Sequence, residues 1–222
     1  MKLSYFVDFF SANLIWTEGA QILIVLVVMI IGALLWYRPI ACVILGFLAF
    51  SFYFFRNPDR VCLAALHDDT VIVCPADGKV VAIKYDPLNA LEGFAHKISI
   101  FLSPFDVHVN WLPAAGTVEE VIYKPGAFTF AFLPKSSELN ERNDVRMVTT
   151  TGHPIMVRQI AGTIARRICC WVNKGQVVPL GHKFGMIRFG SRVDLFLPKE
   201  AVPAVGVGQV VYGGQTVIAH WR

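Results

Sequence analysis

Two uninterrupted apolar runs dominate the first quarter of the chain. Residues 20–36 read AQILIVLVVMIIGALLW and residues 40–55 read IACVILGFLAFSFYFF, with Tyr37-Arg38-Pro39 between them and Arg56-Asn57-Pro58 after them. At ~1.5 Å of rise per residue each run predicts a helix of about 25 Å. The bilayer's hydrocarbon core is ~30 Å thick, so each span is marginal. The pattern predicts a helical hairpin that either crosses the bilayer with Arg38 at its turn or dips into one leaflet. Either way its two ends lie on the same side. Lys2, Arg56 and Arg60 outnumber Arg38, which puts the larger domain in the cytoplasm. The apolar region starts too late and runs too long for a cleavable signal peptide. The plainer account is a buried hairpin of a soluble protein.

After Asp59 the pattern changes to short β-branched runs separated by Gly, Pro and Asp. Strands are expected at Val71–Cys74, Lys79–Tyr85, Lys97–Leu102, Val107–Leu112, Thr117–Tyr123, Arg146–Thr151, Ile155–Gln159, Met186–Phe189, Arg192–Leu197 and Val210–Ala219. One short helix is expected at Ile160–Ile168 from its Ala and Arg content, against Gly162. Gly213-Gly214 between apolar runs reads as a hairpin tip. Phe128, Phe130 and Phe132 alternate, so an extended segment would set them on one face, in the core or against lipid. The predicted fold is mainly β, a sandwich or barrel-like α+β domain at 59–222, behind an N-terminal membrane-anchoring segment at 1–58.

Composition sharpens this in two ways. Apolar residues make up 55% of the chain and charged residues 16%, a balance that points to a membrane-associated protein. The net charge of +4 is far from the dense basic stripe of a nucleic-acid binder and suits weak attraction to anionic headgroups. The five cysteines are odd in number and form no C-x-x-C pair, so neither a disulfide framework nor a metal site is expected.

Three elements can carry chemistry. Ser191 follows Phe189-Gly190 between two strand-like runs. A Gly ahead of it permits a strained turn, in which the hydroxyl can attack the preceding carbonyl. An N→O acyl shift followed by β-elimination would leave dehydroalanine and then a pyruvoyl group. An ordinary Gly-Ser turn is the competing account. Asp106-Val107-His108-Val109-Asn110 would set Asp106, His108 and Asn110 on one strand face, with His108 as general base and then acid. Asp77, in Pro75-Ala76-Asp77-Gly78, reads as a turn residue or as the group that orients an imidazole.

Taken in order, FFRNPDR, PADGKV, FLSPFDVHVNWLP, NERN, RQIAGTIARRI and KFGMIRFGSRVDLFLP resemble the phosphatidylserine decarboxylase family in its short bacterial and archaeal form. The resemblance runs from about Phe54 to the C-terminus. It implies that the precursor cleaves itself between Gly190 and Ser191 into chains 1–190 and 191–222 that stay associated. It implies an Asp77–His108–Ser191 triad and a covalent pyruvoyl cofactor made from Ser191. That group would form a Schiff base with the serine headgroup of phosphatidylserine, release CO2 and yield phosphatidylethanolamine in phospholipid biosynthesis. His108 would protonate the α-carbon. Longer relatives carry a second histidine where this chain has Trp111, so His108 would serve both self-cleavage and turnover. Arg188, Arg192 and Lys183 are the candidates for the phosphate or carboxylate. Arg166-Arg167 and Asn140-Glu141-Arg142 are either structural or set at a lipid surface. The resemblance also allows a homodimer. Two other classes stay open: a non-enzymatic, membrane-tethered β-domain, and a pyruvoyl enzyme for a soluble amino acid, which would need no anchor.

Overall fold

The computed structural model describes residues 15–86, 93–126, 140–162, 168–188 and 191–222. The chain divides into two units, Met1–Asp59 and Arg60–Arg222.

In the first unit, helix α1 (Trp16–Trp36) is followed by α2 (Arg38–Phe54). The 21 residues of α1 give about 31 Å of helix, longer than its uncharged run predicts, because Trp16–Gly19 join it. By length and composition α1 is able to cross a membrane, whereas α2 is shorter. Tyr37 breaks the path with an extended backbone, and Pro39 sits in the first turn of α2, where its missing N–H loses no helical bond. The Ile15 N–H donates to the Phe55 carbonyl at 3.1 Å, so the two ends of the hairpin meet. Large apolar side chains stand exposed along both helices, among them Ile24, Val28, Leu35, Val43 and Phe47.

The second unit is built of β1 (Val71–Val73), β2 (Gly78–Tyr85), β3 (His96–Leu102), β4 (Val109–Trp111), β5 (Gly116–Lys124), β6 (Arg142–Thr149), β7 (Pro154–Ala161), β8 (Ile168–Cys170), β9 (Val177–Val178), β10 (Lys183–Ile187), β11 (Ser191–Leu197), β12 (Ala201–Pro203), β13 (Val210–Val211) and β14 (Val217–Trp221). An eight-stranded sheet runs β13-β2-β3-β11-β7-β6-β5-β9, and two three-stranded sheets run β1-β14-β12 and β4-β10-β8. The unit is thus mainly β, as the sequence pattern implies.

Side-chain alternation explains the core. Val193, Leu195 and Leu197 of β11 share one face with Ile98, Ile100 and Leu102 of β3 and Ile155 and Val157 of β7, all in one buried cluster. Arg192, Asp194 and Phe196 turn to the other face of β11, and they too are buried. Asp194 holds Arg192 at 2.9 Å and Lys97 at 3.0 Å. On the same face the Arg158 guanidinium grips Asp144 with two bonds of 2.6 and 2.8 Å. Both partners are removed from water, so losing one strands the other's charge. Arg158→Met is expected to lower stability by about 3–5 kcal/mol, whereas Arg158→Met with Asp144→Leu returns near the wild-type value. Chemical denaturation of both variants checks this.

Two expectations are corrected. The helix expected at Ile160–Ile168 is absent at its described ends. Ile160 and Ala161 extend β7 and pair with Arg192 and Ser191, and Ile168 opens β8; residues 163–167 lie outside the described part. Helix propensity is worth only tenths of a kcal/mol per residue, less than ladder bonds plus burial of Ile160. The runs around Gly213-Gly214 do not pair with each other. β13 joins β2, while β14 joins β1 and β12, so the turn hands the chain from one sheet to another. Strands β8, β9 and β12, of two or three residues each, have too little pattern to be read. Phe128, Phe130 and Phe132 lie outside the described residues.

Candidate active site

Ser191 is the first residue of β11, paired with Leu102 on one side and Ala161 on the other. It is fully buried, and its Oγ has no hydrogen-bond partner among the described residues. A buried hydroxyl left unpaired costs about 1–3 kcal/mol, which makes this one conspicuous. Phe189 and Gly190 lie outside the described residues, so the expected cleavage point is described from its Ser191 side.

Strand register brings the His108 segment to the same place. Gln159 pairs with Val193, two residues along from Ser191, so its side chain shares the Ser191 face. Gln159 Nε2 donates to Asn110 Oδ1 at 2.8 Å, and Asn143 Nδ2 donates to Gln159 Oε1 at 3.0 Å. Asn110 lies two residues beyond His108. From the other direction, the Ile187 N–H donates to the His108 carbonyl at 3.3 Å, four residues ahead of Ser191. The regular strand begins only at Val109, so Asp106 and His108 do not ride on it as the alternation implied.

The imidazole of His108 is wholly buried, and its Nδ1 lies 2.9 Å from the Asp106 carbonyl oxygen. A carbonyl only accepts, so Nδ1 carries the hydrogen. In the neutral ring Nε2 then holds the lone pair, the tautomer a general base requires. The Asp106 carboxylate accepts from the Ser103 N–H at 2.7 Å and so closes a local turn.

Asp77 departs from the role expected of it. Its carboxylate receives both arms of the Arg60 guanidinium, the Gly213 N–H at 2.9 Å and the Val107 N–H at 3.4 Å. The group that orients His108 is a backbone carbonyl, and Asp77 reaches His108 only through the neighbouring peptide. Gly78 makes this turn feasible. Its φ of +140° and the Phe101 oxygen, 2.2 Å from where a Cβ would stand, exclude any side chain.

The basic candidates separate. Arg192 points to the face opposite Ser191 and is committed to Asp194. Lys183 opens β10 opposite Trp111, and Arg188 follows that strand; both are half-buried. Arg60, Asn110 and Gln159 were not legible as site residues. Arg60 lies within the FFRNPDR string but registers from sequence only as one more positive charge beside a membrane segment.

Cys74 is a nucleophile by type, three residues before Asp77. Burial pushes its thiol up to about 12, and the charge of Asp77 adds to this. It therefore stays protonated at neutral pH. We expect no alkylation of Cys74 by iodoacetamide at pH 8 until the protein is unfolded, read by peptide mass spectrometry. Among the described residues no group of His, Cys, Asp and Glu converges as a metal site.

A family model described as phosphatidylserine decarboxylase matches residues 47–219. Three curated relatives are each called phosphatidylserine decarboxylase proenzyme. That of Gluconacetobacter diazotrophicus is 48% identical over 178 residues, 78% of this chain and 78% of its own. That of Salinibacter ruber is 47% identical, over 86% of this chain and 84% of its own. That of Desulfotalea psychrophila is 43% identical, over 81% of this chain and 85% of its own.

Proposed function

The chain belongs to the phosphatidylserine decarboxylase family, and from that premise we propose that it is a self-cleaving precursor whose Ser191 becomes the pyruvoyl group that decarboxylates phosphatidylserine. The observation that carries this reading is the buried Ser191 hydroxyl, which has no partner among the described residues and shares its sheet face with Gln159; Gln159 bonds Asn110, two residues from a histidine whose Nδ1 is committed to the Asp106 carbonyl. Such a hydroxyl fits a group awaiting reaction better than one serving the fold.

The first step moves the Ser191 Oγ proton to His108 Nε2 while Oγ attacks the Gly190 carbonyl carbon. The Gly190–Ser191 C–N bond breaks, the freed nitrogen takes the proton back, and an ester joins the two residues. Removal of the Ser191 α-proton then expels the Gly190 carboxylate from Cβ. The dehydroalanine left at 191 takes up water and loses ammonia to give the ketone. The mature pyruvoyl group supplies a carbonyl that takes up the substrate's amine and accepts the electron pair left when CO2 departs. His108 then serves turnover as well, delivering a proton from Nε2 to the substrate's α-carbon. The buried strands around residue 191 exclude bulk water from that proton transfer. Arg188, three residues before Ser191 and half-buried, is assigned to the phosphodiester. The exposed apolar side chains of α1 and α2 support attachment to the cell membrane, with the catalytic unit on the cytoplasmic side.

The test is intact-mass measurement of the purified protein, together with CO2 release from carboxyl-labelled phosphatidylserine in mixed micelles. Two polypeptides are expected, the smaller with a blocked, ketone-bearing start at residue 191. Release from the lipid and none from free serine is expected. One continuous polypeptide, inert toward the lipid, would favour a membrane-tethered binding domain instead.

A further inference from the structure

Asp77 has four acceptor positions on its carboxylate, and all are filled. Arg60 takes one on each oxygen, Gly213 N–H takes another on Oδ1 and Val107 N–H another on Oδ2. No position is left for an imidazole. Arg60 also donates to the Gly213 carbonyl at 2.9 Å, so Arg60, Asp77 and Gly213 form a closed ring of charge-assisted bonds. The guanidinium lies over the indole of Trp111, 5.1 Å from its centre. Trp111 is fully buried, its N–H donates to the Pro75 carbonyl at 2.9 Å, and its ring packs on Gly213, where a Cβ would stand 2.5 Å from the indole. Four stretches of chain thereby meet around one guanidinium: those of residues 60, 75–77, 107–111 and 213.

We propose that Arg60 is a positioning residue for self-cleavage. This rests on the reading of the chain as a self-cleaving precursor. Arg60 holds the buried Asp77 carboxylate in place with both arms of its guanidinium, and Asp77 in turn fixes the Val107 peptide next to His108. Trp111 is the platform that holds the guanidinium flat, the part it plays where longer relatives carry a second histidine. Without Arg60 the carboxylate loses its two-armed partner and is free to turn away, and the Val107–His108 peptide loses its anchor. A displacement of about 1 Å at a reacting pair costs up to ~10²-fold in rate. The guanidinium touches no reacting atom in this scheme.

The experiment follows self-cleavage of full-length precursor made by in vitro translation in micelles, for wild type, Arg60→Gln and Arg60→Lys. The folded state is read by thermal unfolding of uncut Ser191→Ala versions of each. Cleavage of Arg60→Gln is expected to slow ~10- to 100-fold, with partial recovery in 20–50 mM ethylguanidinium but not in equal sodium chloride (about the range that leaves folding intact). Arg60→Lys, which keeps the charge but not the two-armed grip, is expected to fall between. Wild-type cleavage rates in both variants would overturn the proposal. So would slow Arg60→Gln cleavage without ethylguanidinium recovery while its uncut form melts with wild type. If Arg60→Gln does not fold, Arg60→Lys decides: slowed cleavage with an unchanged melting temperature supports the role, and an unchanged rate removes it. Failure of wild type itself to cleave would instead bring down the precursor reading on which this rests.

Discussion

Ser191→Ala is expected to leave the chain in one piece and to bring CO2 release from phosphatidylserine down to the rate without enzyme. Alanine has no oxygen to form the ester, so neither the cut nor the ketone can arise, and nothing else at residue 191 can take up the substrate's amine. Enzymatic accelerations are typically ~10⁶-fold or more, and on the proposed mechanism the whole of that gain depends on one atom. Stability should behave in the opposite way. The Oγ is buried and makes no hydrogen bond among the described residues. Removing a buried polar atom that has no partner there is not expected to weaken the fold, since an unsatisfied group of this kind costs about 1–3 kcal/mol. The Ser191→Ala melting temperature is therefore expected to equal or exceed that of uncut wild-type precursor. A denaturing gel, a CO2 assay and a thermal melt read the three outcomes together. An Ser191→Ala protein that still appears as two bands would end the proposed mechanism.

His108→Gln is expected to slow self-cleavage by about 10²- to 10⁴-fold, the usual worth of a placed general base. Glutamine keeps a side-chain N–H able to reach the Asp106 carbonyl, and it fills much of the same buried space. It has no basic nitrogen to take the Ser191 proton. The uncut chain should persist over hours under conditions in which wild type is fully processed, and a pulse-chase gel measures this. Asp77→Asn should have a smaller effect than His108→Gln, because the carboxylate reaches the imidazole only through the Val107 peptide. Equal losses at the two positions would mean that Asp77 turns onto the imidazole during the reaction.

The sequence made some of this readable for physical reasons that can be named. Uncharged runs of helix length leave few alternatives, so α1 and α2 were legible. β11 and β3 were legible because a strand buried on its core face must show Val193, Leu195 and Leu197, or Ile98, Ile100 and Leu102, at every second place. Ser191 and His108 stood out through the strings around them. What escaped was long-range. Nothing local tells Ile160 and Ala161 to extend β7; their pairing with β11 does. Nothing in Gly213-Gly214 says that the flanking runs part company, because their partners lie far off in the chain, β2 for one run and β1 for the other. The residues around Asp77 allow either a turn residue or an imidazole partner, and only the family resemblance implies the second. The competing guanidinium sits in a string that reads as the end of a membrane segment. A residue whose role is to close a ring across four stretches of chain leaves no periodic mark.

β11 lies fourth of eight in the large sheet, zipped on one edge to β3 and on the other to β7. If the bond ahead of Ser191 breaks as proposed, the shorter polypeptide becomes an inner plank of its larger sibling, and β13 and β14 lace it to β2 and β1 as well. Its new first residue is clamped from both edges and cannot fray. Exchange is closed to such a pair: extracting the shorter piece means dismantling the sheet. On the proposed mechanism, a molecule whose ketone has been damaged cannot accept a fresh replacement and must be made again from a whole precursor.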